Sequence, residues 1–383
     1  MPNQNASRNK RSAILFAGGG TGGHLYPGIA VAERWQDCFP DASVLFAGSG
    51  REIERHILTK YYFKYEALPF VSPRTALRHP LQFLKGWRKS RKLARKIIRE
   101  FQPAAVIGLG GYASYPLVIA AARKQVPIIL LEQNAVAGRA NQHLEKYASK
   151  VCISFSESIR TFATPSKIDL TGNPLRQEIF KLKSAAFDEI PLPTLLITGG
   201  SQGSNLINET AIKFIESHAN LLKGWQIRHQ TGSEPIAIQI RELFRQRNLC
   251  GDVRPYFESP ADLYQNVKLA IVRAGGTTLA ELDALNIPAI IIPIANSMAN
   301  HQVLNAKAFA SRNAAVVIEE SENNFQNDFS DAMTLQLAKD YSSAENSSTD
   351  SRKKIFSSNA ANQVVEILKQ LIEESEVSCL TPK

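Results

Sequence analysis

Residues 14–35 read ILFAGGGTGGHLYPGIAVAERW: an apolar run, then clustered glycines, then a plausible helix. The apolar run predicts a buried strand, and the glycines predict a tight turn into the helix that follows. Backbone N–H groups at a helix N-terminus, with the helix dipole behind them, favour phosphate. The stretch therefore indicates an α/β fold with an anion-binding loop at a strand end.

The same scheme recurs along the chain. The first half contains AILFAGGG, SVLFAGSG, AAVIGLGG and PIILLEQN, and the second half contains TLLITGGSQGS, LAIVRAGGTTLAEL and AIIIPIA. Strands that are apolar throughout and alternate with helices indicate parallel sheet buried on both faces. We therefore predict two doubly wound, Rossmann-like α/β domains, with bounds of 1–172 and 173–350. The helical segment NQVVEILKQLIEE, residues 362–374, could pack onto either domain.

Composition narrows the class of protein. The chain has 383 residues and a net charge of +10, and its four cysteines are far apart with no C-x-x-C spacing. Disulfide and metal-site interpretations therefore have little support. No apolar run approaches the ~20 residues that span a bilayer, and no signal-type stretch precedes the first strand, so we expect a cytoplasmic protein.

The first glycine loop nominally fits the dinucleotide pattern G-x-G-x-x-G as Gly18, Gly20 and Gly23. A dinucleotide site also needs an acid at the end of the second strand, where this chain has Gly48 and Ser49. No G-x-x-x-x-G-K-[ST] sequence occurs, which excludes a P-loop. A nicotinamide-dependent oxidoreductase is therefore the weaker interpretation, and no cofactor is expected.

The segment RAGGTTLAEL, residues 273–282, is a better nucleotide site. Its backbone at 275–278 suits a diphosphate, and Glu281 is placed to accept hydrogen bonds from ribose hydroxyls. In the next loop, His301, Gln302 and Asn305 could bind sugar hydroxyls, although such residues are more often turn formers or caps. Because no D-x-D pair occurs, we expect a metal-independent site that stabilises a leaving diphosphate with backbone amides and Arg273.

A basic segment lies between residues 74 and 99, with ten Lys or Arg residues and no acid. It predicts a helix from near Pro80 to before Pro103, with a core-facing stripe at helical spacing. Such a run is usually a solvated helix face, but here apolar side chains accompany it, which is typical of peripheral membrane binding. The predicted membrane patch comprises Leu77, Phe83, Leu84, Trp87 and Arg88. We expect no nucleic-acid partner, because no binding motif is present.

Seven motifs, in order over roughly residues 12–310, resemble the MurG family, glycosyltransferases of family 28. They are GGTGGH (19–24) with PG (27–28), GLGGYASYP (108–116), EQN (132–134), GNPLR (172–176), GGSQG (199–203), RAGGTTLAEL (273–282) and HQVLNA (301–306). The resemblance implies a GT-B fold, in which two Rossmann-like domains face a central cleft and a C-terminal helix, about 357–374, packs back on the first domain.

The activity implied is transfer of N-acetylglucosamine (GlcNAc) from UDP-GlcNAc to undecaprenyl-diphosphate-N-acetylmuramyl-pentapeptide, which converts lipid I into lipid II in peptidoglycan biosynthesis. The resemblance also implies a peripheral location on the cytoplasmic face of the plasma membrane, an anionic membrane surface as partner, and cell-wall or division proteins as further partners. A related GT-B transferase acting on another lipid acceptor is the alternative.

A histidine or a carboxylate at a strand end is suited to act as the base, which makes His24 and Glu132 the candidates, although His24 could instead anchor the acceptor diphosphate or cap its helix. The resemblance also assigns residues. Those that would bind the acceptor or its diphosphate are Thr21, Gly22, Gly23, Tyr112 and Asn134. Those that would bind UDP-GlcNAc are Arg176, Ser201, Gly203, Asn208, Phe257, Arg273, Gly276, Thr277, Thr278, Glu281, His301, Gln302 and Asn305. Tyr115 and Ala299 depart from the family pattern.

Overall fold

The computed structural model describes residues 12–69, 79–183, 192–295, 297, 300–321, 324–339 and 359–380. The chain divides into two units by its internal contacts. One comprises Met1–Arg176 and Ser357–Lys383, and the other comprises Gln177–Phe356. The division follows Arg176, whereas the sequence analysis placed it after residue 172.

The first unit is built on a seven-stranded sheet in which every pair of neighbouring strands is parallel. Its order is β3-β2-β1-β4-β5-β6-β7, so the chain reverses its direction of winding between β1 and β4. The strands are β1 (Ile14–Ala17), β2 (Val44–Gly48), β3 (Lys64–Ala67), β4 (Ala105–Gly108), β5 (Ile128–Glu132), β6 (Lys150–Ile153) and β7 (Ile168–Leu170).

Helices cover both faces of this sheet, as expected for strands that are apolar throughout. They are α1 (Gly22–Cys38), α2 (Glu52–Lys60), α3 (Pro80–Phe101), α4 (Tyr115–Ala122) and α5 (Arg139–Leu144), with a short 3₁₀ turn, Tyr112–Ser114, before α4. On α3, Ala94, Ile97 and Ile98 are buried in the core, which confirms the predicted core-facing stripe. Alternate residues of the central strands enter two separate hydrophobic clusters, one on each face.

The second unit has a six-stranded parallel sheet in the order β10-β9-β8-β11-β12-β13. Its strands are β8 (Thr194–Thr198), β9 (Gln226–Gln230), β10 (Cys250–Arg254), β11 (Val267–Val272), β12 (Ala289–Ile291) and β13 (Ala315–Val317). Its helices are α6 (Gln177–Lys183), α7 (Asn205–His218), α8 (Glu234–Arg247), α9 (Pro260–Tyr264), α10 (Gly276–Leu285), α11 (His301–Ala310) and α12 (Phe325–Leu337).

The last helix, α13 (Ala360–Leu380), belongs to the first unit and contacts α1. Its residues Val364, Val365 and Leu368 are buried in the cluster that also contains Trp35 of α1. Each fully buried aliphatic side chain contributes about 1.5–3 kcal/mol relative to an exposed one, so this contact is enough to attach the helix firmly. Among the described residues, no helix is long and apolar enough to cross a membrane.

Candidate active site

The two glycine loops at the carboxyl ends of β1 and β4 meet at the point where the winding reverses, where open α/β sheets bind ligands. Gly18, Gly19 and Gly20 have φ values of +108°, +145° and +99°, which L side chains rarely adopt. A Cβ on Gly18 would lie 2.5 Å from the carbonyl oxygen of Gly110. Glycine is therefore required at position 18 both for its φ angle and for the close approach of the second loop.

His24 lies in the first turn of α1, beside both loops. Its Nδ1 is 3.2 Å from the Oγ1 of Thr21, and a Cβ on Gly110 would lie 3.4 Å from its Nε2. Thr21 occupies the N-cap position, yet its hydroxyl contacts the histidine and makes no backbone cap bond. The structure thus brings together the predicted residues Thr21 and His24, with Gly22 buried and Gly23 exposed in the same turn.

Tyr112 begins the 3₁₀ turn after the second loop and is half-buried. Its ring stacks on that of Tyr115, with centroids 5.8 Å apart. The Tyr115 hydroxyl lies 2.8 Å from Nδ1 of His143. Burial raises the pKa of Tyr115 to about 12, so this hydroxyl remains a hydrogen-bond donor at neutral pH. Tyr115, which departs from the family pattern, therefore extends the aromatic surface begun by Tyr112.

Glu132, at the end of β5, is buried and accepts four hydrogen bonds. Oε1 accepts from the backbone and side-chain nitrogens of Asn134 at 3.1 and 3.0 Å. Oε2 accepts from the Gly138 backbone and from Asn141 Nδ2, both at 2.9 Å. Burial raises the pKa of the Glu132 carboxyl, and the four donors oppose that rise. Because both oxygens are occupied by the protein, the geometry does not support Glu132 as the base; it organises the loop that carries Asn134.

A second buried carboxylate, which the sequence analysis missed, lies under the first glycine loop. Glu54 accepts hydrogen bonds from the Ser49 backbone and hydroxyl, the Arg51 backbone and the Tyr65 hydroxyl. A Cβ on Gly19 would lie 2.7 Å from its Oε1. Glu54, at the third position of α2, accepts from the N–H of the N-cap residue as in a capping box, but the N-cap is Arg51 and not the Ser or Thr of the usual sequence signal.

In the second unit, the loops after β8 and β11 lie on adjacent strands. Gly203 has a φ of +70°, and a Cβ there would lie 2.1 Å from the carbonyl oxygen of Thr231. Ser201 is half-buried. The helix α10 begins at Gly276 without a side-chain cap, and in its first turn Thr277 is buried and Thr278 half-buried. This helix end is the predicted diphosphate site.

Glu281 lies one turn further along α10. It is buried, and its Oε2 accepts a hydrogen bond from the Tyr264 hydroxyl at 2.8 Å. Tyr264 ends α9, so this bond attaches α9 to α10 and fixes the orientation of the carboxylate predicted to hold the ribose.

Arg273, at the end of β11, contacts several neighbouring loops of the second unit. Its guanidinium contacts the Ser204 hydroxyl at 2.9 Å, the Ile292 carbonyl at 3.0 Å and Glu320 Oε2 at 2.8 Å. Glu320 also accepts a hydrogen bond from the backbone of Ala295. Arg273 therefore connects three strand-end loops, and its predicted role in stabilising the leaving diphosphate stays a prediction.

Asn208 bonds to two other residues of the second unit. It is buried on α7, its Nδ2 donates to the Thr231 carbonyl at 3.1 Å, and its Oδ1 lies 2.9 Å from Nε2 of His229. Burial lowers the pKa of His229 to about 3, so the imidazole is neutral and donates to Asn208. Both the nitrogen and the oxygen of the amide thus bond to other residues of the second unit, and the predicted role of Asn208 in binding UDP-GlcNAc stays a prediction.

The three polar residues at the start of α11 differ in their surroundings. Asn305 is buried and its Nδ2 donates to the Ala274 carbonyl at 3.0 Å, which holds the loop that precedes α10. Gln302 Oε1 accepts from the Ile294 backbone, and His301 is half-buried. Of the three side chains, Asn305 contacts the loop that precedes α10, and Gln302 contacts the loop that follows β12. Position 299 lies outside the described residues.

Phe257 is buried, and the Arg254 guanidinium lies 4.9 Å from its ring centroid. Its backbone N–H donates to Gln230 Oε1 at 3.0 Å, while Gln230 Nε2 donates to Thr198 Oγ1 and to the Gly200 carbonyl. Gln230, which was not predicted from the sequence, thus joins the loop after β8 to the segment that contains Phe257. Its only signal was a polar residue at the end of a strand.

Arg176 lies in the first unit. Its guanidinium stacks 3.8 Å from the centroid of Tyr26, and Nη1 donates to the Tyr61 hydroxyl at 3.1 Å. The side chain is buried there. Its predicted role in binding UDP-GlcNAc stays a prediction.

On α3, the rings of Phe83 and Trp87 stack with centroids 6.5 Å apart. Leu84 is 43% exposed, and Arg88 is exposed beside it. Leu77 lies outside the described residues. In the part of the chain that the structure describes, no group of three or more His, Cys, Asp or Glu residues could hold a metal ion.

Comparison with known proteins identifies the family. Residues 14–153 match the glycosyltransferase family 28 N-terminal domain, and residues 194–370 match its C-terminal domain. A Geotalea uraniireducens protein is 38% identical over 319 residues, covering 81% of this chain and 85% of that protein. A Listeria monocytogenes protein is 36% identical over 322 residues, covering 81% and 86%. Both are named UDP-N-acetylglucosamine--N-acetylmuramyl-(pentapeptide) pyrophosphoryl-undecaprenol N-acetylglucosamine transferase.

Solved structures agree. The crystal structure of Acinetobacter baumannii MurG is 25% identical, with a TM-score of 0.67, covering 94% of this chain and 99% of that chain. The UDP-GlcNAc 2-epimerase of Neisseria meningitidis, 13% identical with a TM-score of 0.63 over 94% of this chain and 100% of that chain, is alike in fold alone. The fold is GT-B, as predicted. With both domains matched in order, the chain belongs to glycosyltransferase family 28.

Proposed function

We propose that this protein transfers GlcNAc from UDP-GlcNAc to the 4-hydroxyl of the N-acetylmuramyl sugar of undecaprenyl-diphosphate-N-acetylmuramyl-pentapeptide, which converts lipid I into lipid II in peptidoglycan biosynthesis. The observation that carries the proposal is the set of relatives of that name, 36–38% identical over 81% of this chain. A transferase acting on another lipid acceptor is not favoured, because these relatives are named for this acceptor.

The proposed reaction is an inverting displacement. The acceptor hydroxyl oxygen attacks C1 of the α-linked sugar, the bond from C1 to the UDP oxygen breaks, and UDP leaves with the bonding electrons. The hydroxyl proton passes to His24. In the tautomer that carries its own proton on Nδ1, this histidine donates to Thr21 Oγ1, 3.2 Å away, and Nε2 is the basic nitrogen. A base placed in this way contributes roughly 10²–10⁴-fold to the rate.

The acceptor diphosphate binds at the first glycine loop, with Thr21, Gly22, Gly23, Tyr112 and Asn134 around it. Support comes from the close approach of the loops after β1 and β4 and from the start of α1 beside them. The buried Glu132 holds Asn134 through two hydrogen bonds.

The nucleotide binds at the carboxyl ends of the strands of the second unit. Its diphosphate faces Ser201, Gly203 and the first turn of α10 (Gly276, Thr277 and Thr278), and its ribose faces Glu281. The uncapped N-terminus of α10 supports this placement. The leaving diphosphate is stabilised by backbone amides without a metal ion.

The protein acts at the cytoplasmic face of the plasma membrane as a peripheral protein. The stacked rings of Phe83 and Trp87, beside exposed Leu84 and Arg88, support a membrane-facing patch on α3. Attraction to anionic lipid contributes about 1 kcal/mol for each basic residue near the surface.

The experiment that tests the function measures UDP release from UDP-GlcNAc, with and without lipid I, in buffer containing EDTA. Release that requires lipid I and is unchanged by EDTA supports both the acceptor and the metal-independent mechanism. UDP release without lipid I contradicts the proposed acceptor. UDP release that is abolished by EDTA contradicts only the metal-independent mechanism.

A further inference from the structure

Arg51 places a positive charge at the edge of the first glycine loop. Arg51 lies between β2 and α2, is exposed, and donates from Nη1 to the carbonyl oxygen of Gly20 at 3.0 Å. A Cβ on Gly20 would meet only this nitrogen, at 3.8 Å. The space in front of the loop is therefore open, and the guanidinium lies at its edge.

The main chain that carries Arg51 is held rigidly. Its backbone N–H donates to Glu54 Oε2 at 3.1 Å, and the Gly50 N–H donates to the Tyr65 hydroxyl at 2.7 Å. That hydroxyl in turn donates to the same oxygen of Glu54 at 2.6 Å. Burial, followed by the contact with Glu54, raises the pKa of Tyr65, so the hydroxyl keeps its proton. The exposed guanidinium is thus carried by a main-chain segment that hydrogen bonds to Tyr65 and to the buried Glu54 hold in place.

Within the part of the chain that the structure describes, no acidic side chain pairs with the guanidinium of Arg51. Its guanidinium contacts a neutral carbonyl. A guanidinium carries five N–H donors in a planar fork that matches phosphate oxygens. One contact with Gly20 leaves donors for a ligand, and the open space in front of Gly20 leaves room for it.

We propose that Arg51 binds the diphosphate of the acceptor substrate at the first glycine loop. The proposal rests on the function proposed above. The diphosphate is attached to C1 of the muramyl sugar, whereas the reacting hydroxyl is on C4. The contact is therefore equally strong in the ground state and the transition state, and its loss weakens acceptor binding without slowing the chemical step.

The test compares three variants with a water-soluble, short-chain lipid I analogue. In Arg51→Gln, the acceptor KM should rise roughly tenfold, since a hydrogen bond to a charged group contributes about 1.5–3 kcal/mol, while kcat and the KM for UDP-GlcNAc stay unchanged. Arg51→Lys should recover part of the affinity, because lysine keeps the charge without the fork. Arg55, an exposed arginine on α2, provides the matched control. The acceptor KM of Arg55→Gln should stay within about twofold of the wild-type value.

A second acceptor analogue, with an uncharged linker in place of the diphosphate, tests the contact itself. Arg51→Gln and the wild-type protein should use this analogue equally well. The inference is overturned if Arg51→Gln behaves like Arg55→Gln, or if it is impaired equally with both acceptors. Failure of the wild-type protein to glycosylate the diphosphate analogue overturns the proposed function, and this inference with it. An active wild type with unaffected Arg51→Gln overturns the inference alone.

Discussion

Among single residues, His24 and Glu132 separate clearly once their hydrogen bonds are known. The sequence places both at strand ends and leaves the choice of base open. The structure surrounds the Glu132 carboxylate with four N–H donors, whereas His24 lies at the junction of two glycine loops with its Nδ1 3.2 Å from the Thr21 hydroxyl. The sequence could not distinguish the two candidate bases. The donors to Glu132 come from residues two to nine positions later in the chain, and only the folded loop places them beside the carboxylate.

The first prediction concerns His24. His24→Ala should lower kcat by about 10²–10⁴-fold, with a smaller change in acceptor KM, because a general base acts in the transition state. Steady-state kinetics with lipid I and UDP-GlcNAc measure this, with His56→Ala on α2 as the exposed control. An unchanged kcat with a raised acceptor KM would show that His24 only anchors the acceptor.

The second prediction concerns Glu132. In Glu132→Gln, the amide NH₂ would face two N–H donors in a buried site, so the free energy of unfolding should fall by about 2–3 kcal/mol. Urea denaturation measures the loss, and the acid limb of the pH–rate profile should be retained in the surviving activity. Normal stability combined with loss of that limb would restore Glu132 as the base.

In the second unit, too, local sequence signals were predictable and contacts between distant loops were not. The glycine positions and the polar strand ends were predicted correctly as a set, because glycines in tight loops and polar residues after apolar strands are local signals. The inward contacts of Arg273, Asn208 and Asn305 were not predictable, since each partner lies on another strand-end loop. Glu320, 47 residues after Arg273, has no local signal at all.

At the level of elements, the strands predicted from apolar runs are present, and six others were missed. Four of the missed strands, β3, β7, β10 and β13, are sheet edges with partly exposed, mixed sequences. The interior strand β9 was missed for a different reason. Its sequence, QIRHQ, is polar, but Arg228, His229 and Gln230 are buried and bonded to neighbouring loops.

The third prediction follows from His229 in β9. Burial lowers its pKa to about 3, whereas an unfolded histidine titrates near 6.5. Between these values the unfolded chain binds one more proton than the folded chain, so stability falls as the pH falls. The contribution is about 2 kcal/mol between pH 7 and pH 5.

Urea denaturation at both pH values, on the wild type and His229→Gln, checks this linkage. The variant should lose that part of the pH dependence whatever its absolute stability. An identical pH dependence in the two proteins would contradict the assignment.

The fourth prediction concerns α3. Replacing Phe83, Leu84 and Trp87 together by Ser should abolish sedimentation with anionic vesicles, because each apolar side chain that enters the interface contributes to binding. Ile238→Ser, an exposed apolar residue on α8 of the second unit, is the control and should leave sedimentation unchanged. Equal sedimentation of the triple variant and the wild type would exclude the patch as a membrane contact.

For the whole molecule, the sequence was sufficient to predict two doubly wound domains, because parallel sheets buried on both faces leave near-continuous apolar runs. The periodicity of the last helix did not predict which domain it packs on, since an apolar helix face does not identify the surface that covers it. Its burial against α1 depends on Val364, Val365 and Leu368 meeting Trp35, more than 300 residues earlier in the chain.

The central claim is that the chain glycosylates lipid I. Mass spectrometry of the lipid product, after incubation of the purified protein with UDP-GlcNAc and lipid I, tests it most directly. The lipid should gain the mass of one N-acetylhexosamine unit, with one UDP released per sugar transferred. An unmodified lipid, or a sugar released to water, would contradict it.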